Sequence, residues 1–399
     1  MSVAIGKGDV LKITSGALGP IQELPDEGLV MRPFTLFIGK QGTGKSLASQ
    51  IVYFFRNLSF LMKYYDARLG PNATNNKIIR NALDDIRSSD RTFATFASPK
   101  VTIRWAGEGV KGLSLGMENV SRQINPHANL LDRVDRIRKS QDIIPPRGKA
   151  IFIPAERVLY SHARGPSTWQ LLSLPSTLTL FADSVEQAAD TFKKWNNGEP
   201  DTDEGRWVQN QGKIALAGEA YRWGDNWKWR IDESKQMDID MASSGQKANW
   251  PLILLAEVLF TWQLEGLIGK PFYIHVEEPE IHLHPAAQVE IVKILAYLVN
   301  QGFRVVVTTH SLTVLYTLNN LVLASALDTN FQSKDVPEPK IRLKPKQVAA
   351  YVFQGDGSIV DIVDRESGFI SEVELGQVGE MLSVEMNTIE RLRWAREEV

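Results

Sequence analysis

Gly39-Lys40-Gln41-Gly42-Thr43-Gly44-Lys45-Ser46 fits the spacing G-x-x-x-x-G-K-[ST]. Glycines there let successive backbone N–H groups turn inward and cradle phosphates, a task that a Cβ would obstruct. The Lys45 ammonium then reaches the outer phosphates as a point charge, and the Ser46 hydroxyl is placed to ligate Mg²⁺. A functionless glycine-rich turn is the plain alternative. The context speaks against it: the apolar run Phe34 to Ile38 precedes the loop, and one long helix is expected from about Lys45 to Tyr65. A phosphate-binding loop needs that strand–loop–helix setting.

Three further stretches could complete the chemistry. Tyr273 to Val276 reads as a strand that ends in Glu277-Glu278-Pro279-Glu280. Phosphoryl transfer needs positioning and charge neutralisation more than covalent chemistry, so Glu277 is assigned to the metal shell and Glu278 to the attacking water. Ser243-Ser244-Gly245-Gln246 opens a helix expected from about Lys247 to Glu265, with Pro251 near its first turn. Free N–H groups and the helix dipole make such an end an anion site, although a simple N-cap would look the same. Val305 to Thr309 runs to the end of the next strand, and His310 at its tip suits a γ-phosphate contact. His282 and His284 near Glu280 lack further ligands at zinc-like spacing, so no separate metal site is expected there.

The elements that hold these residues apart read as one large α/β unit. Pro271 to Val276, a helix from Ala286 to Asn300 closed by Gly302, and Phe303 to Thr308 form a βαβ unit with parallel strands. Ligands of such sheets bind at the C-terminal strand ends, where Glu277-Glu278 and Thr309-His310 fall. Val10 to Ile21 suggests an opening strand and a bend at Gly19-Pro20, and Ala150 to Ile153 another buried strand. Residues 70–145 are polar and mixed, with a strand at Lys100 to Trp105 and a helix at Leu130 to Ser140. The core is expected at 1–160 and 241–340, with an inserted subdomain at about 160–240 that holds Trp195, Trp207, Trp223, Trp227 and Trp229. Gly212 to Ile231 alternates around Gly224-Asp225-Asn226, a hairpin signal. A hairpin around Gly355-Asp356-Gly357 and an amphipathic helical tail are expected over 341–399. Asp356, Asp361 and Asp364 are read as turn and edge residues rather than a metal triad.

Composition bounds the rest. A hydrophobic share of 43% and a charged share of 23% over 399 residues are those of an ordinary globular chain with a substantial core. The absence of cysteine excludes disulfides and thiolate metal sites. The longest apolar run, Trp250 to Phe260, is too short to cross a bilayer and contains Glu257, so a cytoplasmic location is expected. A formal net charge of −2 argues against a surface coated for nucleic acid, while leaving room for a local basic groove that binds DNA.

The order P-loop, Ser243-Ser-Gly-Gln246, Glu277-Glu-Pro-Glu280, Thr309-His310 resembles the ABC ATPase family. Within it the chain is similar to the SMC/RecF-like branch, and most of all to the OLD-type (AAA family) ATPases of bacterial anti-phage defence. Gly19-Pro20-Ile21 before Arg32 to Gly39, Glu278 to Pro285 and Thr309 to Asn320 carry that likeness, and Ile153 to Arg157 is a weaker echo. The resemblance implies a P-loop ABC-ATPase fold: a mixed sheet with flanking helices. It implies ATP and Mg²⁺ as ligands and a composite site, in which Ser243 and Gly245 of one chain meet the γ-phosphate held by Lys45 of another. His310 would be the switch histidine. The pattern departs at Glu277 and His284, where many relatives have Asp, and at Ser244, where the first signature Gly is usual. No Q-loop glutamine is evident.

The stretch between Ser46 and Ser243 lacks heptads, so long SMC-type arms are not expected. A TOPRIM nuclease domain, which OLD-type nucleases carry, is not expected either. The resemblance thus implies a homodimer or higher homo-oligomer with ATPase activity, acting as the sensor of a multi-gene defence system on a separately encoded effector. A RecF-like recombination or repair ATPase that binds DNA directly, and a slow-turnover ATP-locked scaffold, stay open as alternatives.

Overall fold

A computed structural model describes residues 8–24, 27–87, 92–107, 110–141, 145, 147–162, 174–224, 226–328 and 333–371, with 386 and 388. Most of the expected helical tail therefore lies outside the described residues.

The chain opens with β1 (Val10–Leu18), β2 (Leu29–Val30) and β3 (Phe34–Gly39). Every residue of β3 is buried, as a strand covered on both faces requires. The loop after it leads into α1 (Lys45–Arg56) and α2 (Leu58–Leu69). The single helix expected here is broken at Asn57. Its Oδ1 accepts from the Lys149 N–H at 3.0 Å, and its Nδ2 donates to Tyr53 Oη at 3.2 Å. A short amide side chain engaged in this way competes with helix continuation.

The polar stretch that follows is more ordered than its composition suggests. It forms α3 (Asn75–Arg87), β4 (Ala97–Gly107), β5 (Val110–Glu118), β6 (Gln123–Pro126) and α4 (Ala128–Lys139). Strands β2-β1-β4-β5-β6 make a five-stranded antiparallel sheet. In α3 the buried residues Ile78, Ile79, Ala82, Leu83 and Ile86 form one face at helical spacing.

After β7 (Ala150–Ile153) come α5 (Val158–His162), α6 (Ser176–Phe192) and α7 (Asp203–Leu216). Because α7 continues to Leu216, the Trp-rich hairpin begins only at β8 (Glu219–Trp223) and returns through β9 (Asn226–Asp232) to β10 (Lys235–Asp238). Trp195, Trp227 and Trp229 are buried, and Trp207 packs on Tyr297 with ring centroids 4.1 Å apart.

The remaining elements are α8 (Ser244–Leu264), β11 (Tyr273–Glu277), α9 (Pro285–Asn300), β12 (Arg304–Thr309), α10 (Leu312–Leu323), β13 (Val348–Phe353) and β14 (Ile359–Asp361). Helix α8 starts three residues earlier than expected because Ser243 caps it. Pro251 then lies inside it, and the Lys247 carbonyl, which a residue-251 N–H would have served, accepts from Ser161 Oγ at 2.6 Å.

The central sheet has the order β14-β13-β3-β12-β11-β7, parallel throughout except for the antiparallel edge strand β14. It separates two cores, and side chains alternate between them. Leu36, Ile274, Val276, Val305 and Val307 join the Trp-rich segment and α8. Phe37, Phe152, Tyr273, Val306 and Ala349 join α1 and the antiparallel sheet. The architecture is a mixed α/β sheet with flanking helices and a P-loop after its third strand.

Candidate functional site

The loop between β3 and α1 has the conformation that a phosphate cradle needs. Gly42 and Gly44 hold left-handed φ values of 82° and 95°, which a side chain would strain. Gly44 is also the N-cap of α1, so the first amides of that helix open onto the loop. Lys45 Nζ donates to Gly39 O at 2.8 Å and Lys40 O at 2.7 Å, and Thr43 Oγ1 to Lys40 O at 2.9 Å. Burial lowers the Lys45 pKa, against the opposing charges of Glu278 and Glu280.

β11 and β12 bring their carboxylates and histidine to the same sheet edge. Glu277 is buried beside Ser46, and its Oε2 accepts from the Ala155 N–H at 3.3 Å. Burial raises its pKa to about 7, the nearby Ser46 hydroxyl opposing that rise. Its Oε1 is buried without a hydrogen-bond partner. An orphaned carboxylate oxygen beside a hydroxyl is the hard-oxygen donor set that Mg²⁺ takes, so Ser46 and Glu277 fit the expected metal.

Glu278 adopts a left-handed φ of 42° as a non-glycine residue, the kind of local strain that collects at functional sites. His310 Nδ1 lies 3.6 Å from Glu278 Oε1 and 3.8 Å from Glu280 Oε1, near both but bonded to neither. Glu280 instead grips the backbone of the β12 tip. Its Oε1 accepts from Thr309 Oγ1 at 2.5 Å and from the His310 N–H at 3.2 Å, while its Oε2 is buried and unpartnered.

Ser243, Ser244, Gly245 and Gln246 form the first turn of α8. A capping box closes it: Ser243 Oγ accepts from Gln246 N–H at 3.3 Å, and Gln246 Oε1 from Ser243 N–H at 2.9 Å. Among the described residues no hydrogen bond joins 243–246 to the P-loop. The turn leans instead on the backbone after Glu280: a Cβ on Gly245 would lie 2.5 Å from His282 O.

The structure adds residues that motif reading did not place. His275, two residues before Glu277 on β11, is buried under α1. Arg56 Nη1 approaches its Nε2 at 3.4 Å, and since arginine only donates, Nε2 accepts. The neutral ring thus carries its proton on Nδ1 and donates to Ser49 Oγ at 3.0 Å. Burial, then the Arg56 charge, depress its pKa well below the ordinary value. Arg56 also meets Asp9 at 2.9 Å and lies 4.2 Å over the Tyr273 ring. Arg157 and Asn249 bind the loop of Glu277 and Glu278 to α8. A charged residue directly after a buried strand, in Pro154-Ala-Glu-Arg157, was the one sequence signal for this.

Several other side chains make local contacts. His284 caps α9 by accepting from the Ala286 N–H at 3.2 Å. Asp356 and Asp364 accept from the N–H groups of Ser358 and Glu366 in turns, and Asp361 pairs with Arg365. No helix among the described residues is long and apolar enough to cross a membrane.

A family model described as the AAA ATPase domain matches residues 168–315. No curated protein matches the chain. Solved structures similar to it include an SMC head bound to the C-winged helix domain of ScpA, at 12% identity and TM-score 0.45, covering 88% of this chain and 96% of that one. The SMC head domain from Thermotoga maritima is similar at 10% identity and TM-score 0.40, over 90% of this chain and 100% of that one. So is the dimeric ABC transporter cassette MJ0796, at 13% identity and TM-score 0.34, over 88% and 96%. The family match takes in Ser243, Glu277, Glu278 and His310, and with the P-loop on the same sheet it supports an ATPase.

Proposed function

We propose that the chain binds ATP with Mg²⁺ at its P-loop and hydrolyses it when two copies face each other, as a homodimer or larger homo-oligomer. The observation that carries this is the convergence of Lys45, Ser46, Glu277, Glu278 and His310 at the ends of three adjacent parallel strands, β3, β12 and β11. Ser46 and Glu277 would hold Mg²⁺, which neutralises charge on the outer phosphates. Lys45 would turn from its own loop carbonyls to the β- and γ-phosphates, Glu278 would orient the water, and His310 would contact the γ-phosphate. Among the described residues the first turn of α8 has no hydrogen bond to its own P-loop, and its Ser244 and Gly245 amides, which the capping box does not use, are left for a second chain's nucleotide.

Within the cell we assign the ATPase to a multi-gene bacterial anti-phage system, as the sensor of a separately encoded effector. The OLD-type resemblance of Glu278 to Pro285 and of Thr309 to Asn320 supports that role. Glu278→Gln tests the chemistry. It should retain ATP binding, lose turnover by about 10²-fold or more, and accumulate as an ATP-bound pair. Undiminished hydrolysis would show that another group orients the water.

A further inference from the structure

Arg157 is wholly buried, and all five of its N–H donors are used. Nε donates to Ala248 O at 3.0 Å, Nη1 to Pro154 O at 3.2 Å and to Glu277 O at 2.7 Å. Nη2 donates to Asn249 Oδ1 at 2.9 Å and to Glu278 O at 2.9 Å. None of these acceptors is a carboxylate. Burial lowers its pKa to about 10, partly offset by Glu280, Glu278 and Glu277, so it stays charged at neutral pH. A buried cation needs its hydrogen bonds, but it does not need them from two elements. Here four of the five are divided between the end of β11 and the start of α8.

Asn249 doubles the link. Its Nδ2 donates to Gly245 O at 2.9 Å and to Ile281 O at 3.0 Å. With Gly245 set against His282 O, the turn 277–282 and the tip of α8 form one body.

We infer that Arg157 is a positioning residue that links the two ATP sites of a pair of chains. It ties the backbone of Glu278, which serves the ATP on the same chain's Lys45, to the Ser243–Gln246 turn, which serves the ATP on the partner chain. Filling one site thereby sets the water-orienting residue of the other. This rests on the composite site proposed above.

The test is ATP turnover by the full chain against ATP concentration, alongside the Kd of a fluorescent ATP analogue. Wild type should show a Hill coefficient approaching about 2, the number of coupled sites. Arg157→Lys keeps the charge, but three donors on one nitrogen cannot replace a five-donor fork. Its Hill coefficient should fall toward about 1, and kcat should fall by about tenfold or more, with Kd held within about threefold because the P-loop is untouched. Asn249→Asp keeps the acceptor for Arg157 but removes both donors to Gly245 and Ile281, and it should give the same pattern, also where Arg157→Lys does not fold. Unchanged cooperativity in either folded variant would overturn the inference, as would loss of Kd in step with kcat. Wild type that turns over ATP without cooperativity sinks this inference alone. Wild type without turnover sinks the composite site and this inference with it.

Discussion

His275 donates from Nδ1 to Ser49 Oγ across 3.0 Å, in the buried layer between β11 and α1. The ring is held neutral there, whereas the unfolded chain takes up a proton near the ordinary value of 6.5. Its contribution to stability is therefore fully present above pH 6.5 and is shed as pH falls, by at most about 1.4 kcal/mol per pH unit. The unfolding free energy of wild type should drop more steeply below pH 6.5 than that of His275→Gln, measured by urea titration. Parallel curves would mean that the ring does not stay neutral in the fold.

Glu277 works in the opposite sense. Its folded pKa of about 7 stands above the ordinary 4.5, so the folded chain holds the extra proton. That contribution is present below pH 4.5 and is lost as pH rises through about 7. Glu277→Gln, neutral throughout, should gain stability relative to wild type between pH 5 and pH 8, up to about 1.4 kcal/mol per pH unit. Because only the carboxylate ligates Mg²⁺, the thermal shift from ATP with Mg²⁺ should be larger at pH 8 than at pH 6 in wild type. Equal shifts at the two pH values would count against Glu277 as a ligand.

Lys45→Ala and Ser243→Arg should each be inactive alone. Mixed under conditions where subunits exchange, they should recover up to about a quarter of wild-type turnover, since half of the pairs carry one intact site of two. Replacing the Ser243 cap costs about 1 kcal/mol, too little to unfold a chain of this size. No recovery in a demonstrated heterodimer would refute the composite arrangement.

Gly245→Ala would put a Cβ 2.5 Å from His282 O, a backbone atom that cannot swing away. The tip of α8 must then shift. Turnover should fall by about tenfold or more, since displacements near 1 Å can cost 10²-fold. ATP affinity at Lys45 should hold. An alanine variant with full turnover would show that the tip tolerates displacement.

The parts of the molecule legible in the sequence are those whose cause is local. The run Phe34 to Ser46 and the unit from β11 through α9 to β12 carry their own periods and punctuation, and the structure has them within a residue or two. Helix α3 was legible in principle from Ile78, Ile79, Ala82, Leu83 and Ile86, but the surrounding polar residues masked its stripe. The break at Asn57 was not legible, because no glycine or proline marks it and its partner is the distant Lys149 N–H. The partners of Arg157 were not legible for the same reason, although Ile153 to Arg157 stood out as a weak echo of the family. Apart from Pro154 O, its acceptors stand some 90 to 120 residues away, and only the folded sheet brings them together.

The alternation along β11 also bears on how this chain tolerates changes of length. Tyr273, His275 and Glu277 face α1, while Ile274 and Val276 face the other core. Loss or gain of one residue between Phe272 and Glu277 would turn the strand over and take Glu277 off the face it shares with Ser46. A two-residue change would keep the faces and move the carboxylate by about 6.6 Å along the strand axis, roughly one turn of the facing helix. Indels in this strand are thus harsher than any single substitution in it, and length variation is best sought in the 324–347 stretch before β13, which contains no strand among its described residues.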